Sequence, residues 1–266
     1  MNLDKFTSAG KFLMLALDHR GSFKKMMNPH NPDAVTDEQI ISLKNEIIVA
    51  LHTQFSGLLI DETWGLKACH EICQIKPFLL PLEKSGYTDQ SGERITELEY
   101  SVSHIKEMGA SGAKLLIYFN PNLESAKFQL ETARKVLDEC KLADFPFFLE
   151  IVTYGEGLKA GLVIESVRVF KEMGIVPDVW KLEFPGDLVS CQELTKLVED
   201  TPWILLSGGD SFDVFKSHVE VATKSGAKGF LAGRALWQEV CTIQGEEKQK
   251  FLNKILPERF KEIASF

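Results

Sequence analysis

Eight short apolar runs that alternate with amphipathic segments constrain the fold of this 266-residue chain more than any other feature. The runs lie at 12–18, 57–61, 77–83, 112–119, 146–152, 178–184, 203–208 and 228–233. Helical patterns lie at about 37–54, 64–74, 96–109, 122–142, 162–174, 189–200 and 211–226, and from 235 onward in two pieces. Strands alternating with helices form right-handed crossovers and a parallel sheet. Eight such units predict one α/β domain over 1–266, a closed (β/α)8 TIM barrel, which usually takes about 250 residues.

An open, doubly wound sheet is the alternative architecture. It would carry a G-x-G-x-x-G turn after its first strand, whereas Asp18-His19-Arg20-Gly21 stands there. The barrel is therefore favoured. The longest irregular segment, 84–95, follows the third predicted strand and so lies at the end of the barrel where enzymes of this fold keep their sites.

The overall charge indicates which kinds of binding partner to expect, and the cysteine content indicates the cellular compartment. A net charge of -8 and a pI near 5.4 give no bulk attraction to nucleic acid or an anionic membrane, and no apolar span reaches ~20 residues. We expect a small-molecule ligand, and the oligomeric state stays open. Five scattered cysteines are unlike a disulfide framework and favour a reducing cytoplasm. Cys69 and Cys73 share one predicted helix, where packing is favoured over metal binding.

Ionisable residues stand on or at the ends of six predicted strands, namely Asp18, Asp61, Glu62, Glu83, Lys114, Glu150, Lys181 and Glu183. Catalytic groups in this fold come from the C-terminal ends of several strands, so the pattern predicts an active site. Lys181 and Glu183 are two residues apart and share one strand face, opposite Trp180 and Phe184. Since an aromatic face packs on helices, Lys181 is expected to point into the barrel.

Two lysines within apolar strands have a specific chemical use. One cation beside another disfavours protonation, which leaves a neutral amine able to form an iminium with a ketone. The iminium withdraws electrons so that a neighbouring C–C bond can break, and Glu150 or Glu183 can carry protons. Because Lys114 lies early on its strand, we expect Lys181 to be the nucleophile and Lys114 a cationic auxiliary. Structural ion pairs, or a barrel isomerase or synthase without a nucleophilic lysine, are the alternatives.

The loops after the last two predicted strands indicate a phosphate site. Ser207-Gly208-Gly209 follows the seventh strand and Gly233-Arg234 follows the eighth, each before a helix. Glycines let backbone N–H groups approach an anion, and these two loops are the common phosphate site of the fold. Tight turns and a salt bridge of Arg234 at the rim are the simpler interpretation. His19 follows the strand-one aspartate, where a structural hydrogen bond and a substrate contact are both open.

Eight motifs in order resemble the class I, Schiff-base aldolases of the tagatose-1,6-bisphosphate aldolase group. They are LALDHRGSF (15–23), LLIDETWG (58–65), PLEKSGY (81–87), GAKLLIYFNP (112–121), FFLEIVTY (147–154), DVWKLEFP (178–185), LSGGDS (206–211) and AGRALW (232–237). The resemblance implies a Schiff base on Lys181, Glu150 as its acid/base partner, and catalytic roles for Asp18 and Lys114. It also implies phosphate binding by Ser207, Gly209, Gly233 and Arg234. A lysine iminium needs neither cofactor nor metal.

Two positions depart from that group, which usually has Gln where this chain has His19 and Ala where it has Gly208. Several motifs are closer to the aldolase domain of inositol catabolism, which is similar to enzymes cleaving 2-deoxy-5-keto-gluconate 6-phosphate, and sulfofructose-1-phosphate aldolases are similar too. All of them release dihydroxyacetone phosphate, so the resemblance predicts the ketone half and leaves the aldehyde half open. A non-catalytic sugar-phosphate regulator on the same fold is a further alternative.

Overall fold

The computed structural model of the protein describes residues 3–157 and 159–266. Its strands are β1 (Phe12–Leu17), β2 (Gly57–Ile60), β3 (Phe78–Pro81), β4 (Thr88–Gln90), β5 (Glu93–Ile95), β6 (Gly112–Phe119), β7 (Phe147–Thr153), β8 (Val179–Leu182), β9 (Trp203–Leu206) and β10 (Gly229–Ala232). Eight of them close a parallel barrel in the order β1-β10-β9-β8-β7-β6-β3-β2, and β4 pairs with β5 in a separate antiparallel hairpin. The eight barrel strands coincide with the eight predicted runs, so the predicted TIM barrel is confirmed.

The α-helices of the described residues are α1 (Gly21–Met27), α2 (Asp37–Leu51), α3 (Gly65–Cys69), α4 (Val102–Glu107), α5 (Ser125–Leu142), α6 (Lys159–Glu172), α7 (Leu188–Val198), α8 (Phe212–Lys224), α9 (Arg234–Trp237), α10 (Gly245–Lys250) and α11 (Leu256–Ala264). A π-helical turn, Phe251–Ile255, joins the last two. Among these helices, none combines the length and the apolar character that a bilayer crossing needs.

The sequence signals for helix ends explain several boundaries. Thr36 accepts the Gln39 N–H while the Gln39 side chain accepts the Thr36 N–H, a capping box that begins α2. Asp187 caps α7 through the Ser190 N–H at 2.8 Å. Helix α1 and the β4–β5 hairpin were not predicted, because neither short segment carries a clear apolar period.

The expectation that Cys69 and Cys73 are packing residues on one helix is wrong. The predicted helix over 64–74 ends early, at Cys69, and a 3-10 turn follows at Ile72–Gln74. This break brings the Cα atoms of Cys69 and Cys73 to 5.5 Å, within the usual range for a disulfide, and a disulfide joins them. Cys140, Cys191 and Cys241 are buried and free.

The strands separate two apolar layers. Inside the barrel, a cluster that includes Phe12, Met14, Phe148 and Ile204 fills the lower interior, and Phe6 enters it edge-on to Phe148 at 5.2 Å. Outside, Trp180 belongs to the larger cluster between the sheet and the helices. The predicted division of the β8 faces is therefore confirmed. Because apolar side chains fill the lower interior, the polar side chains on these strands gather at the upper, C-terminal end.

Candidate active site

Strand register brings the predicted catalytic residues together. Glu150 on β7 pairs with Lys181 on β8 and with Leu116 on β6. Lys114 stands two residues before Leu116, so its side chain enters the interior from an earlier position on the strand. All three charged side chains are almost fully buried. Since burial of a charge is costly unless it is paired, the pairing around each side chain decides what it can do.

Lys114 is surrounded by carboxylates. Its ammonium lies 3.1 Å from Asp18 Oδ2 and 3.0 Å from Glu150 Oε2, and it also donates to Glu83 Oε1. Burial alone would lower the Lys114 pKa, but the carboxylates of Asp18, Glu150 and Glu83 raise it well above the ordinary value. Lys114 is therefore held as a cation.

Glu150 joins the two lysines. Its Oε2 atom lies 2.7 Å from Lys181 Nζ as well as 3.0 Å from Lys114 Nζ. Burial would raise the Glu150 pKa, yet the two ammonium groups lower it below the ordinary value, so the side chain is a carboxylate. Among the described residues, Glu150 is the one carboxylate in ion-pair contact with Lys181.

Asp18 and His19 continue the cluster at the end of β1. Burial opposes ionisation of Asp18, but Lys114, with smaller contributions from His19 and Lys181, lowers its pKa. The His19 Nδ1 atom lies 3.7 Å from Asp18 Oδ1, and its ring stands edge-on to Trp237 at 5.1 Å. Burial lowers the His19 pKa to about 4, against the opposing effect of Asp18, so the imidazole is neutral near pH 7.

A third buried lysine, which the sequence analysis did not single out, supports the end of β1. Lys44 on α2 is fully buried and donates to the carbonyls of Leu17 at 2.8 Å and His19 at 2.9 Å. Its ammonium also pairs with Asp61, whose other oxygen accepts the Trp64 N–H at 2.8 Å. Lys44 thus satisfies the two carbonyls that flank Asp18 and fixes the backbone carrying that carboxylate.

The loops after β9 and β10, which were predicted to form a phosphate site, lie in contact with each other. The Gly233 N–H donates to the Ser207 hydroxyl at 3.2 Å, and the Arg234 guanidinium donates to the Gly208 carbonyl at 2.9 Å. Gly209 has φ +101°, a backbone conformation that favours glycine, and a Cβ there would lie 3.0 Å from the Arg234 guanidinium carbon. Arg234 has no ion pair among the described residues, which leaves its charge available to an anion.

These groups surround one cavity of about 610 Å³ at the C-terminal end of the barrel. Of the residues predicted for the site, its lining contains Asp18, His19, Lys114, Glu150, Lys181, Glu183, Ser207, Gly208, Gly233 and Arg234. Gly209 is exposed and does not line the cavity, but it lies against Arg234. Both Glu183 oxygens are engaged, one by the Thr153 N–H and hydroxyl at 2.7 Å and the other by Lys159 at 3.0 Å. That carboxylate therefore fixes the rim.

The lining also includes side chains that the sequence analysis did not assign to the site. Glu83 was noted only as a strand-end charge, yet it contacts Lys114 and accepts the Leu116 N–H at 3.1 Å. Tyr118, on the same face of β6 as Lys114, reaches the cavity higher up. Alternation along β6 was the signal that would have found Tyr118. No group of His, Cys, Asp and Glu side chains in 3–157 and 159–266 is arranged to hold a metal ion.

Comparison with known proteins is consistent with this geometry. Residues 12–239 match the family described as DeoC/LacD family aldolase. A tagatose 1,6-diphosphate aldolase 2 of Streptococcus pyogenes is 31% identical over 92% of this chain and 86% of its own length. A tagatose 1,6-diphosphate aldolase of Staphylococcus epidermidis is 31% identical over 89% and 83%. An archaeal fructose 1,6-bisphosphate aldolase shares the fold, with a TM-score of 0.68 and 23% identity over 97% of this chain and 98% of the archaeal one.

Proposed function

Because the chain belongs to the DeoC/LacD family of aldolases, we propose that it is a class I aldolase whose Schiff base forms on Lys181. The observation that carries this assignment is the unequal pairing of the two interior lysines. Lys114 contacts three carboxylates and is held as a cation, whereas Glu150 is the one carboxylate among the described residues that contacts Lys181; both lysines line the cavity. A nucleophilic amine must lose its proton, and the lysine with fewer anionic neighbours loses it at lower cost.

Glu150 is placed to move the protons of the first steps. It accepts one from Lys181, whose free amine attacks the ketone carbon to give a carbinolamine. Once Lys181 is neutral, Glu150 loses one of the two cations that lower its pKa and becomes a stronger base. Protonated Glu150 then returns the proton to the carbinolamine hydroxyl, water leaves, and the iminium forms. Glu150, again a carboxylate, accepts the proton of the β-hydroxyl; the C–C bond breaks, its electron pair flows into the iminium to give an enamine, and the aldehyde leaves. The enamine carbon then takes a proton back, and water hydrolyses the resulting iminium to free dihydroxyacetone phosphate and Lys181.

The substrate we propose is a phosphorylated ketose of the tagatose 1,6-bisphosphate type, cleaved to dihydroxyacetone phosphate and an aldehyde. Two features support it: the names of the 31% identical relatives, and the unpaired Arg234 beside the Ser207–Gly233 loops. The phosphate of the ketone half would lie between these loops. We propose that the reaction takes place in the cytoplasm, because sugar phosphates are metabolised there; the cysteines no longer support this compartment, since Cys69 and Cys73 form a disulfide. We also propose that the reaction needs no metal or organic cofactor.

Trapping with borohydride tests the assignment. Reduction in the presence of dihydroxyacetone phosphate should leave a stable adduct on the peptide that contains Lys181 and none on the peptide that contains Lys114. Lys181→Ala should abolish trapping. Lys159, a half-exposed lysine at the rim that pairs with Glu183, gives the matched control, since Lys159→Ala should trap normally. An adduct on Lys114, or undiminished trapping by Lys181→Ala, would contradict the proposal.

A further inference from the structure

The ring order of the strands determines where the aldehyde half of a substrate must lie. The anion loops follow β9 and β10, and Lys181 stands on the adjacent β8. Four steps around the barrel from β9 lies β3, and four steps from β10 lies β6. A ketose with its phosphate at the loops and its carbonyl at Lys181 therefore extends towards the ends of β3 and β6.

The cavity wall on that side includes the segment that follows β3 and a tyrosine of β6, above Glu83, Lys114 and Leu116. Lys84, Ser85 and Gly86, which follow β3, line the cavity, as does Tyr118 of β6. The Lys84 charge is compensated by Glu97 at 2.8 Å. The wall therefore offers an ion-paired ammonium, a hydroxyl and the half-buried phenol of Tyr118. These groups suit a short hydroxylated aldehyde, with or without a phosphate ester on its last hydroxyl, better than an alkyl one.

Arg94 fixes this wall. Its guanidinium stands over three tyrosine rings, 4.9 Å from Tyr87, 5.6 Å from Tyr118 and 5.0 Å from Tyr154. Tyr87 directly follows Gly86, and its ring is edge-on to Tyr118 at 5.0 Å. In the described part of the chain the Arg94 side chain makes no hydrogen bond or ion pair, so these ring contacts are its attachment. Removing the guanidinium would free the rings that hold the wall.

The backbone of β5 is anchored independently of that side chain. The Arg94 N–H donates to the Tyr154 hydroxyl at 3.0 Å, and Gln129 donates to the carbonyls of Arg94 at 2.9 Å and Tyr118 at 3.0 Å. Glu93 accepts the Ser125 N–H at 2.7 Å. Substitution of Arg94 is therefore expected to leave the hairpin in place and loosen only the rings in front of it.

We propose that Arg94 is the positioning residue that sets aldehyde specificity, by holding the wall formed by 84–86 and Tyr118 for a short hydroxylated aldehyde. The inference rests on the proposed aldolase function. Arg94 acts through the tyrosines and touches neither Lys181 nor the anion loops. Its effect should therefore fall on the aldehyde, and binding of dihydroxyacetone phosphate should be unchanged.

Aldol synthesis separates the two halves of the substrate. With dihydroxyacetone phosphate saturating, Arg94→Ala should raise KM for glyceraldehyde at least about tenfold and change KM for butanal less than about threefold. Borohydride trapping with dihydroxyacetone phosphate alone should stay within about twofold of wild type. Arg94→Met, which keeps an unbranched side chain among the rings, is the second variant if Arg94→Ala is poorly folded. Arg168→Ala, an exposed arginine on α6 paired with Glu165 and Glu193, is the matched control and should change nothing.

Each other result has a definite meaning. An unchanged KM for glyceraldehyde in a variant that traps normally would overturn the role of Arg94 and leave the aldolase proposal intact. A parallel rise in KM for both aldehydes, or a parallel loss of trapping, would show a general structural role and overturn the inference as well. Failure of the wild-type protein to trap dihydroxyacetone phosphate would overturn the proposed function and the inference together.

Discussion

Replacing His19 by Gln should remove a specific part of the acid sensitivity of the fold. Burial holds the folded-state pKa of His19 at about 4, whereas the unfolded side chain has the ordinary value near 6.5. Between these values the unfolded chain binds a proton that the folded protein does not. The stabilisation of the neutral imidazole is therefore fully present above pH 6.5 and is lost as the pH falls towards 4.

The size of the effect follows from the two pKa values. One pKa unit corresponds to about 1.4 kcal/mol, so the full range between them corresponds to about 3.5 kcal/mol. Over the accessible interval from pH 7.5 to pH 5, proton binding by the unfolded histidine lowers the free energy of unfolding by about 2 kcal/mol. His19→Gln has no proton to bind and should lose about 2 kcal/mol less than wild type over the same interval.

Urea denaturation at the two pH values measures this difference. Groups that do not interact with His19 contribute equally to both proteins and cancel, and Asp18, whose pKa lies below this interval, stays ionised across it. His30→Gln, at an exposed position in the loop after α1, is the matched control and should behave like wild type. If wild type and His19→Gln lose the same stability between pH 7.5 and pH 5, the lowered pKa of the half-buried His19 is refuted.

Four further predictions follow from individual contacts. Arg234→Ala removes a charge-assisted contact of about 1.5–3 kcal/mol and should raise KM for a phosphorylated ketose about tenfold or more. An unchanged KM would show that the phosphate does not bind at Arg234. Glu150→Gln should bind ligand but slow iminium formation by about 10²–10⁴-fold in single-turnover trapping, because an amide moves no proton. Lys44→Met leaves Asp61 buried without its cation and should cost about 3–5 kcal/mol in urea denaturation, with partial recovery in Lys44→Met/Asp61→Asn. Dialysis against a chelator should leave turnover intact. A loss of turnover that added zinc restores would contradict Schiff-base chemistry.

The barrel and most of its site could be predicted because period-two alternation fixes which side chains face inward. Alternation places Lys181 and Trp180 on opposite faces of β8. The glycine loops follow directly on the last two strands, so their position did not depend on where the helices begin and end. The β4–β5 hairpin could not be predicted, because its exposed first strand buries nothing. The pairing of Lys44 with Asp61 joins a helix to a strand end, a contact that neither local pattern contains. The disulfide depends on the break after Cys69, which turns two helical cysteines towards each other.

The number of carboxylates around each interior lysine is what distinguishes Lys114 from Lys181, and no local pattern gives that number. Asp18 reaches Lys114 across 96 residues of sequence and Glu83 across 31, and barrel closure brings both to one ammonium. From sequence, the two lysines were expected to act on each other directly as neighbouring cations. The structure places Glu150 in contact with both lysines, so the negative charge of Glu150 offsets the repulsion between the two ammonium groups. In the proposed mechanism Lys114 stays a cation throughout, while Lys181 passes its proton to Glu150 and receives the substrate, so the two lysines have different roles.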